Sequence, residues 1–213
     1  MTDGPWAAVH PPQEGQIAPP GGADGYTDEV AEILRTERLV IREWADDDAA
    51  AALAVYGRAE VARWLSPAVD RVMGEEAMRA QLRHWAEATR EGQGGLGHWA
   101  VALRETGAVV GGASLHLLPV EEQDVEIGWQ LAPEHWGKGY AVEAGRHLVE
   151  RAFGLDIDEV FALVRPNNAR GEATARRLGM TWVGETDKYY GLRLNVFRIR
   201  PSDAPIRLHR PPG

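Results

Sequence analysis

The chain has 213 residues, 44% of them hydrophobic and 26% charged, which fits one domain with its own core and loose ends. It contains no cysteine, so disulfides, thiol nucleophiles and cysteine metal sites are excluded. No apolar run approaches the roughly 20 residues of a membrane span, Met1 to His10 lacks the basic and apolar regions of a signal peptide, and a formal charge of −9 opposes unaided nucleic-acid binding. These features predict a cytoplasmic protein with no membrane or nucleic-acid partner, better suited to a cationic substrate such as an amine.

In chain order, residues 1–27 are rich in Pro and Gly and carry no period, which predicts a flexible arm. Glu37 to Glu43 reads as a strand, and Asp46-Asp47-Asp48 as the cap and N-terminal negative charge of the Ala-rich helix after it. A second helix is predicted from about Gly74 to Glu91, with Met78, Leu82, Trp85 and Ala86 at helical spacing on a core face. Trp99, Val101 and Leu103 alternate with smaller or polar residues, and Glu105-Thr106-Gly107 turns the chain into Val109 to Leu117 as a hairpin. Val125, Ile127, Trp129 and Leu131 alternate again, which puts Glu126, Gly128 and Gln130 on the opposite face. A glycine turn, a helix over about 138–153 and a strand over 160–164 follow. A further helix over about 169–178 stops at Gly179, strands are predicted over 181–184 and 192–200, and 201–213 reads as a flexible tail. Alternation of the two periods with no internal repeat predicts a mixed α/β domain over 28–200.

Two motifs mislead on their letters. Gly92-Gln93-Gly94-Gly95-Leu96-Gly97 matches the dinucleotide fingerprint, but a helix precedes it and a strand follows, the reverse of what a pyrophosphate at a helix N-terminus requires. The seven histidines form no compact ligand cluster, so no metal is expected, and His98, His116, His135 and His147 read singly as surface, core or hydrogen-bonding residues. Gly137-Lys138-Gly139 does have the right context, after a strand and at a helix start. Outward amides and the helix dipole there make an anion site suited to a pyrophosphate. The Lys-Ser/Thr pair of a nucleoside-triphosphate loop is missing.

Downstream, Val164-Arg165-Pro166-Asn167-Asn168, then Gly171, then Leu178-Gly179-Met180 form a second motif at matching distance. Together with Glu126-Ile127-Gly128-Trp129-Gln130-Leu131 leading to Pro133-Glu134-His135-Trp136-Gly137-Lys138-Gly139-Tyr140-Ala141, and with Glu143-Ala144, they make the chain resemble the RimJ/RimL-like branch of the GNAT superfamily of N-acyltransferases, over roughly 36–200. The resemblance implies a GNAT fold: a mixed, mostly antiparallel sheet of six to seven strands flanked by helices and splayed at the acyl-CoA site. It implies that Trp129, Gln130 and Leu131 offer main-chain hydrogen bonds to pantetheine, that Gly137, Lys138, Gly139, Tyr140, Ala141 and Val142 wrap the pyrophosphate, and that Asn168 lies near the pantetheine. A strand edge pairing with an amide-bearing arm is chemically akin to β-augmentation. The co-substrate implied is acetyl-CoA or another acyl-CoA with no metal, the acceptor a primary amine on a small molecule or protein N-terminus, and related folds often pair as homodimers through their sheets.

The resemblance also implies direct transfer, in which a neutral amine attacks the thioester and a strand amide stabilises the oxyanion. Three familiar side chains are replaced: a thiolate-protonating tyrosine by Ala175, a basic glutamate by Leu163, and the RimL-type serine by Gly171. Glu126, sharing a strand face with Gln130, is the expected base. Tyr189 and Tyr190, near a position where RimL-like proteins carry a glutamate, are candidates for the acid or for a pocket wall, and Trp64 is a candidate for the acceptor side. A non-catalytic acyl-CoA sensor, or an enzyme using a longer donor such as succinyl-CoA, fits the same cofactor motifs.

Overall fold

The computed structural model describes residues 31–65, 73–91, 93–119 and 124–203. The predicted arm at 1–27 and the predicted tail beyond Asp203 lie outside the described residues. The elements are β1 (Glu32–Arg35), β2 (Leu39–Arg42), α1 (Ala49–Tyr56), α2 (Ala59–Leu65), α3 (Glu75–Glu91), β3 (Gly97–Leu103), β4 (Val109–Leu117), β5 (Val125–Leu131), α4 (Tyr140–Gly154), β6 (Val160–Val164), α5 (Ala169–Arg177), β7 (Thr181–Thr186) and β8 (Leu194–Ile199). One eight-stranded sheet runs in the order β1-β2-β3-β4-β5-β6-β8-β7. Every neighbouring pair is antiparallel except β5 and β6. The count exceeds the expected six to seven strands because β1, four residues with an irregular register against β2, is too short to show a period.

Alternation on the strands sorts the side chains between two faces. Trp99, Val101, Leu115, Val125, Ile127 and Phe197 meet Leu148, Val149 and Ala152 of α4, and Ala175 of α5 joins the same core. On the other face Ala100 meets a cluster built by Tyr56 of α1 and Met78, Leu82 and Trp85 of α3. The residues predicted to line the core side of α3 are all buried. Asp48 departs from its expected capping role. It forms no side-chain cap on α1, and instead accepts from the Ala45 amide at 2.9 Å and pairs with Arg42 at 2.6 Å. Among the described residues of the fingerprint-like segment, Gln93 to Leu96 follow α3 and Gly97 opens β3, so a helix precedes it and a strand follows.

The parallel pair in the middle determines where a ligand can enter. Val125 pairs with Val160 and Glu126 with Phe161, and the ladder ends there, although β5 runs on to Leu131 and β6 to Val164. The strands therefore part towards their C-terminal ends, which is the splay expected from the resemblance, and α4 connects them.

Candidate active site

The gap between β5 and β6 opens into a cleft of about 730 Å³, lined by both strands, the start of α4, one side of α5, and residues of α1, α2 and the segment between β7 and β8. On β5 the main-chain directions follow from the ladder to β4. Ala132 donates its N–H to Val110 across the same register that pairs Gln130 with Gly112, so Gln130 and Gly128 turn their main-chain groups to β4. A Cβ at Gly111 would accordingly collide with the Gln130 carbonyl oxygen. Trp129 and Leu131, one residue out of phase, turn theirs towards the gap. The main-chain role expected of Gln130 therefore does not fit. Its side chain lines the cleft and its Oε1 accepts from the Tyr56 hydroxyl at 3.3 Å. The Leu131 carbonyl already accepts from Trp136 Nε1 at 2.8 Å, which leaves its N–H as the group facing the gap.

At the glycine turn before α4, Gly137 and Gly139 both have left-handed φ, 76° and 82°, a region that strains any residue with a Cβ. Gly139 is the N-cap of α4, and its carbonyl accepts the Glu143 amide at 3.0 Å. The amides of Tyr140, Ala141 and Val142 precede that first helical bond and so have no helical acceptor, and all three residues line the cleft. Lys138 is exposed and its side chain lies outside the cleft lining. Its carbonyl accepts from Arg38 Nη1 at 3.0 Å. Burial, with a smaller push from the Lys138 ammonium, holds His135 below the ordinary histidine value. On the opposite bank Asn168 caps α5 by accepting the Gly171 amide at 3.1 Å. A Cβ at Gly171 would approach Asn168 Nδ2 to 2.8 Å and Val164 Cγ1 to 2.9 Å, so the residue that stands where relatives carry serine has a packing reason to be glycine.

Glu126 lies at the last register pair before the strands part, 9% exposed, on the face opposite α4. The Tyr190 hydroxyl donates to its Oε2 at 3.0 Å, and His116 Nε2 lies 3.3 Å from the same oxygen. His116 stacks on His98 with centroids 5.4 Å apart, and His98 stacks on Trp85 at the same spacing, a column that fixes the plane of His116. Burial pushes the His98 imidazole down to about 3, with the neighbouring His116 and His84 adding to the effect, so His98 is neutral at physiological pH. Burial likewise holds the Tyr56 phenol well above its ordinary range.

Among the residues named from sequence, Glu126 and Tyr190 come together in the cleft, and Tyr189 does not. Tyr189 is 6% exposed and packs with Leu118 and Leu194 in a satellite core. Tyr190, at a left-handed φ of 57°, packs against the same cluster but is only half-buried and also lines the cleft. Ala175 is fully buried on the core side of α5 and does not line the cleft. The residue missed from sequence is His116. It faces Glu126 across the β4–β5 hairpin, and counting outward from the connecting loop would have paired them. Among the described residues no group of His, Asp and Glu is arranged to hold a metal ion, and no helix is long and apolar enough to cross a membrane.

Comparison with known proteins places this architecture among the acetyltransferases. The chain belongs to the acetyltransferase (GNAT) domain family, whose model matches residues 38–181. It is 27% identical over 161 residues to YoaA of Bacillus subtilis (strain 168), described as an uncharacterized N-acetyltransferase, covering 74% of this chain and 87% of that protein. A solved acetyltransferase from Agrobacterium tumefaciens is similar with a TM-score of 0.65 and 26% identity, covering 84% of this chain and 99% of that one. RimJ of Mycobacterium smegmatis in complex with CoA-disulfide also has a TM-score of 0.65, at 18% identity over 80% of this chain and 85% of that one, a likeness of fold in line with the RimJ/RimL-like motifs.

Proposed function

We propose that this chain transfers an acetyl group from acetyl-CoA to a primary amine. The observation that carries the reading is the position of Glu126, a buried carboxylate at the root of the β5–β6 gap. Pyrophosphate would sit on the Tyr140, Ala141 and Val142 amides at the positive end of the α4 dipole. The pantetheine amides would pair with the main chain of Trp129 and Leu131, with Asn168 on the facing bank, and the thioester would emerge beside Glu126.

Glu126 then accepts one proton from the bound ammonium, and His116 and Tyr190 hold the carboxylate in place. The freed lone pair forms the C–N bond at the thioester carbon while a β5 amide facing the gap stabilises the oxyanion. Collapse breaks the C–S bond. The second proton lost by nitrogen goes to the CoA thiolate, and the proton held by Glu126 returns to solvent.

Ala175 and Leu163, where relatives carry an acid and a base, favour a second reading, a non-catalytic acyl-CoA binder. One set of measurements separates the two. Acetyl-CoA is expected to raise the melting temperature of both the native chain and Glu126→Gln, and the substitution is expected to lower kcat by about 100-fold or more. A thermal shift without turnover on any amine supports the binder, and no shift at millimolar acyl-CoA, acetyl or longer, removes both readings.

A further inference from the structure

Resting on the acyltransferase reading, we infer that the acceptor is a small monoamine with an apolar body of about aromatic size, its ammonium seated against Glu126. Glu126 is the only carboxylate among the described residues that line the cleft. A polyamine or an amino sugar with several ammonium groups would find no second anion there, and each unpaired charge would lose hydration without return. Burial keeps His98 neutral, so it adds no charge beside Glu126, and the arginines that line the rest of the cleft, Arg165, Arg170 and Arg177, would repel further ammonium groups rather than pair with them.

Two groups of cleft-lining residues offer apolar surface. Val61, Trp64 and Leu65 of α2 form one, and Leu163, Tyr190 and Leu192 form the other. Their separation is fixed by the fold. Arg165, just beyond β6, donates from Nη1 to the Arg63 carbonyl of α2 at 3.1 Å, which ties the two walls together. Arg63 also lies over the Trp64 ring, 4.6 Å from its centroid, and braces it. The cleft of about 730 Å³ must take the pantetheine arm as well, so the room left beside Glu126 suits a body of small-molecule size.

The test uses the full chain, acetyl-CoA and four acceptors: 2-phenylethylamine, spermidine, glucosamine and an alanine-led tetrapeptide. The expected result is a kcat/KM for 2-phenylethylamine at least about tenfold above each of the others, the return on burying one ring between the walls. Trp64→Ala is expected to raise KM for 2-phenylethylamine by about tenfold and to leave the acetyl-CoA thermal shift in place. Leu192→Ala, on the facing wall, gives the same readout should the tryptophan variant not fold. Equal or better use of spermidine, glucosamine or the peptide, an unmoved KM in the wall variants, or refusal of all four amines overturns the inference. If acetyl-CoA still raises the melting temperature, preference for another acceptor or an unmoved KM removes the acceptor class alone, and refusal of all four amines removes it and favours the binder; loss of that shift in the native chain takes the acyltransferase reading with it.

Discussion

At the level of single residues, the site depends on what each side chain touches more than on what it is. Glu126 was legible because a period of two places it opposite the buried Val125 and Ile127. His116 carries no such local signal, and its relevance emerges only when the two strands are paired across their connecting loop. Tyr189 and Tyr190 are adjacent and chemically identical, yet only Tyr190, which has a left-handed φ, lines the cleft. No propensity for tyrosine reports such a conformation. Gly171 shows the same dependence on context. Alanine there gains helix propensity of about 1 kcal/mol, but its Cβ would press on the stiff Val164 side chain and on the Asn168 amide that caps α5. Overpacking of this kind costs about 1–3 kcal/mol, and displacement of the cap adds about 1 kcal/mol. Gly171→Ala is therefore expected to lower unfolding stability by about 1–3 kcal/mol in a denaturant titration, and to weaken acetyl-CoA binding through the loss of Asn168 from its place.

Among the elements, the start of α4 owes its shape to a partner far away in the chain. Thr36 Oγ1 donates to Glu143 Oε1 at 2.6 Å across 107 residues, the Arg38 amide adds 2.8 Å to the same oxygen, and the Arg38 guanidinium pairs with Oε2 at 2.6 Å. That guanidinium also holds the Lys138 carbonyl and lies over the Tyr140 ring, so one arginine braces the glycine turn from outside. The glycines and the helix that follows were readable from local letters. The brace was not, because it joins segments with no local signal in common. Burial alone would raise the Glu143 carboxyl, but the bonds from Thr36 and Arg38 outweigh it and hold the group below its ordinary value of 4.5. A depressed folded-state value means that the unfolded chain takes up the proton first. The brace thus stabilises fully above the ordinary glutamate range and fades as pH falls through the lower folded value. Glu143→Gln is expected to melt below the native chain at neutral pH, with a gap that narrows as pH drops beneath about 4.5. A gap independent of pH would show that packing, not charge, carries the contribution.

For the whole molecule, alternating periods predicted a mixed sheet, but not its order. Nothing local says that β8 inserts between β6 and β7, or that β5 and β6 meet in parallel at only two register pairs. That short ladder divides the sheet into two leaves, β1 to β5 and β6 to β8 with β7 outermost, with α4 and α5 in contact behind them. A ligand lying in the gap would make hydrogen bonds to one leaf and cover the other, and so act as a stitch across the weakest seam in the sheet. Local opening is expected to concentrate where few hydrogen bonds cross, and hydrogen exchange measures it directly. The proposed acyl-CoA site would make the C-terminal leaf one held partly by a bound ligand: CoA should slow amide exchange in β6 and β8 more than in β2 and β3, and uniform slowing across both leaves would count against it.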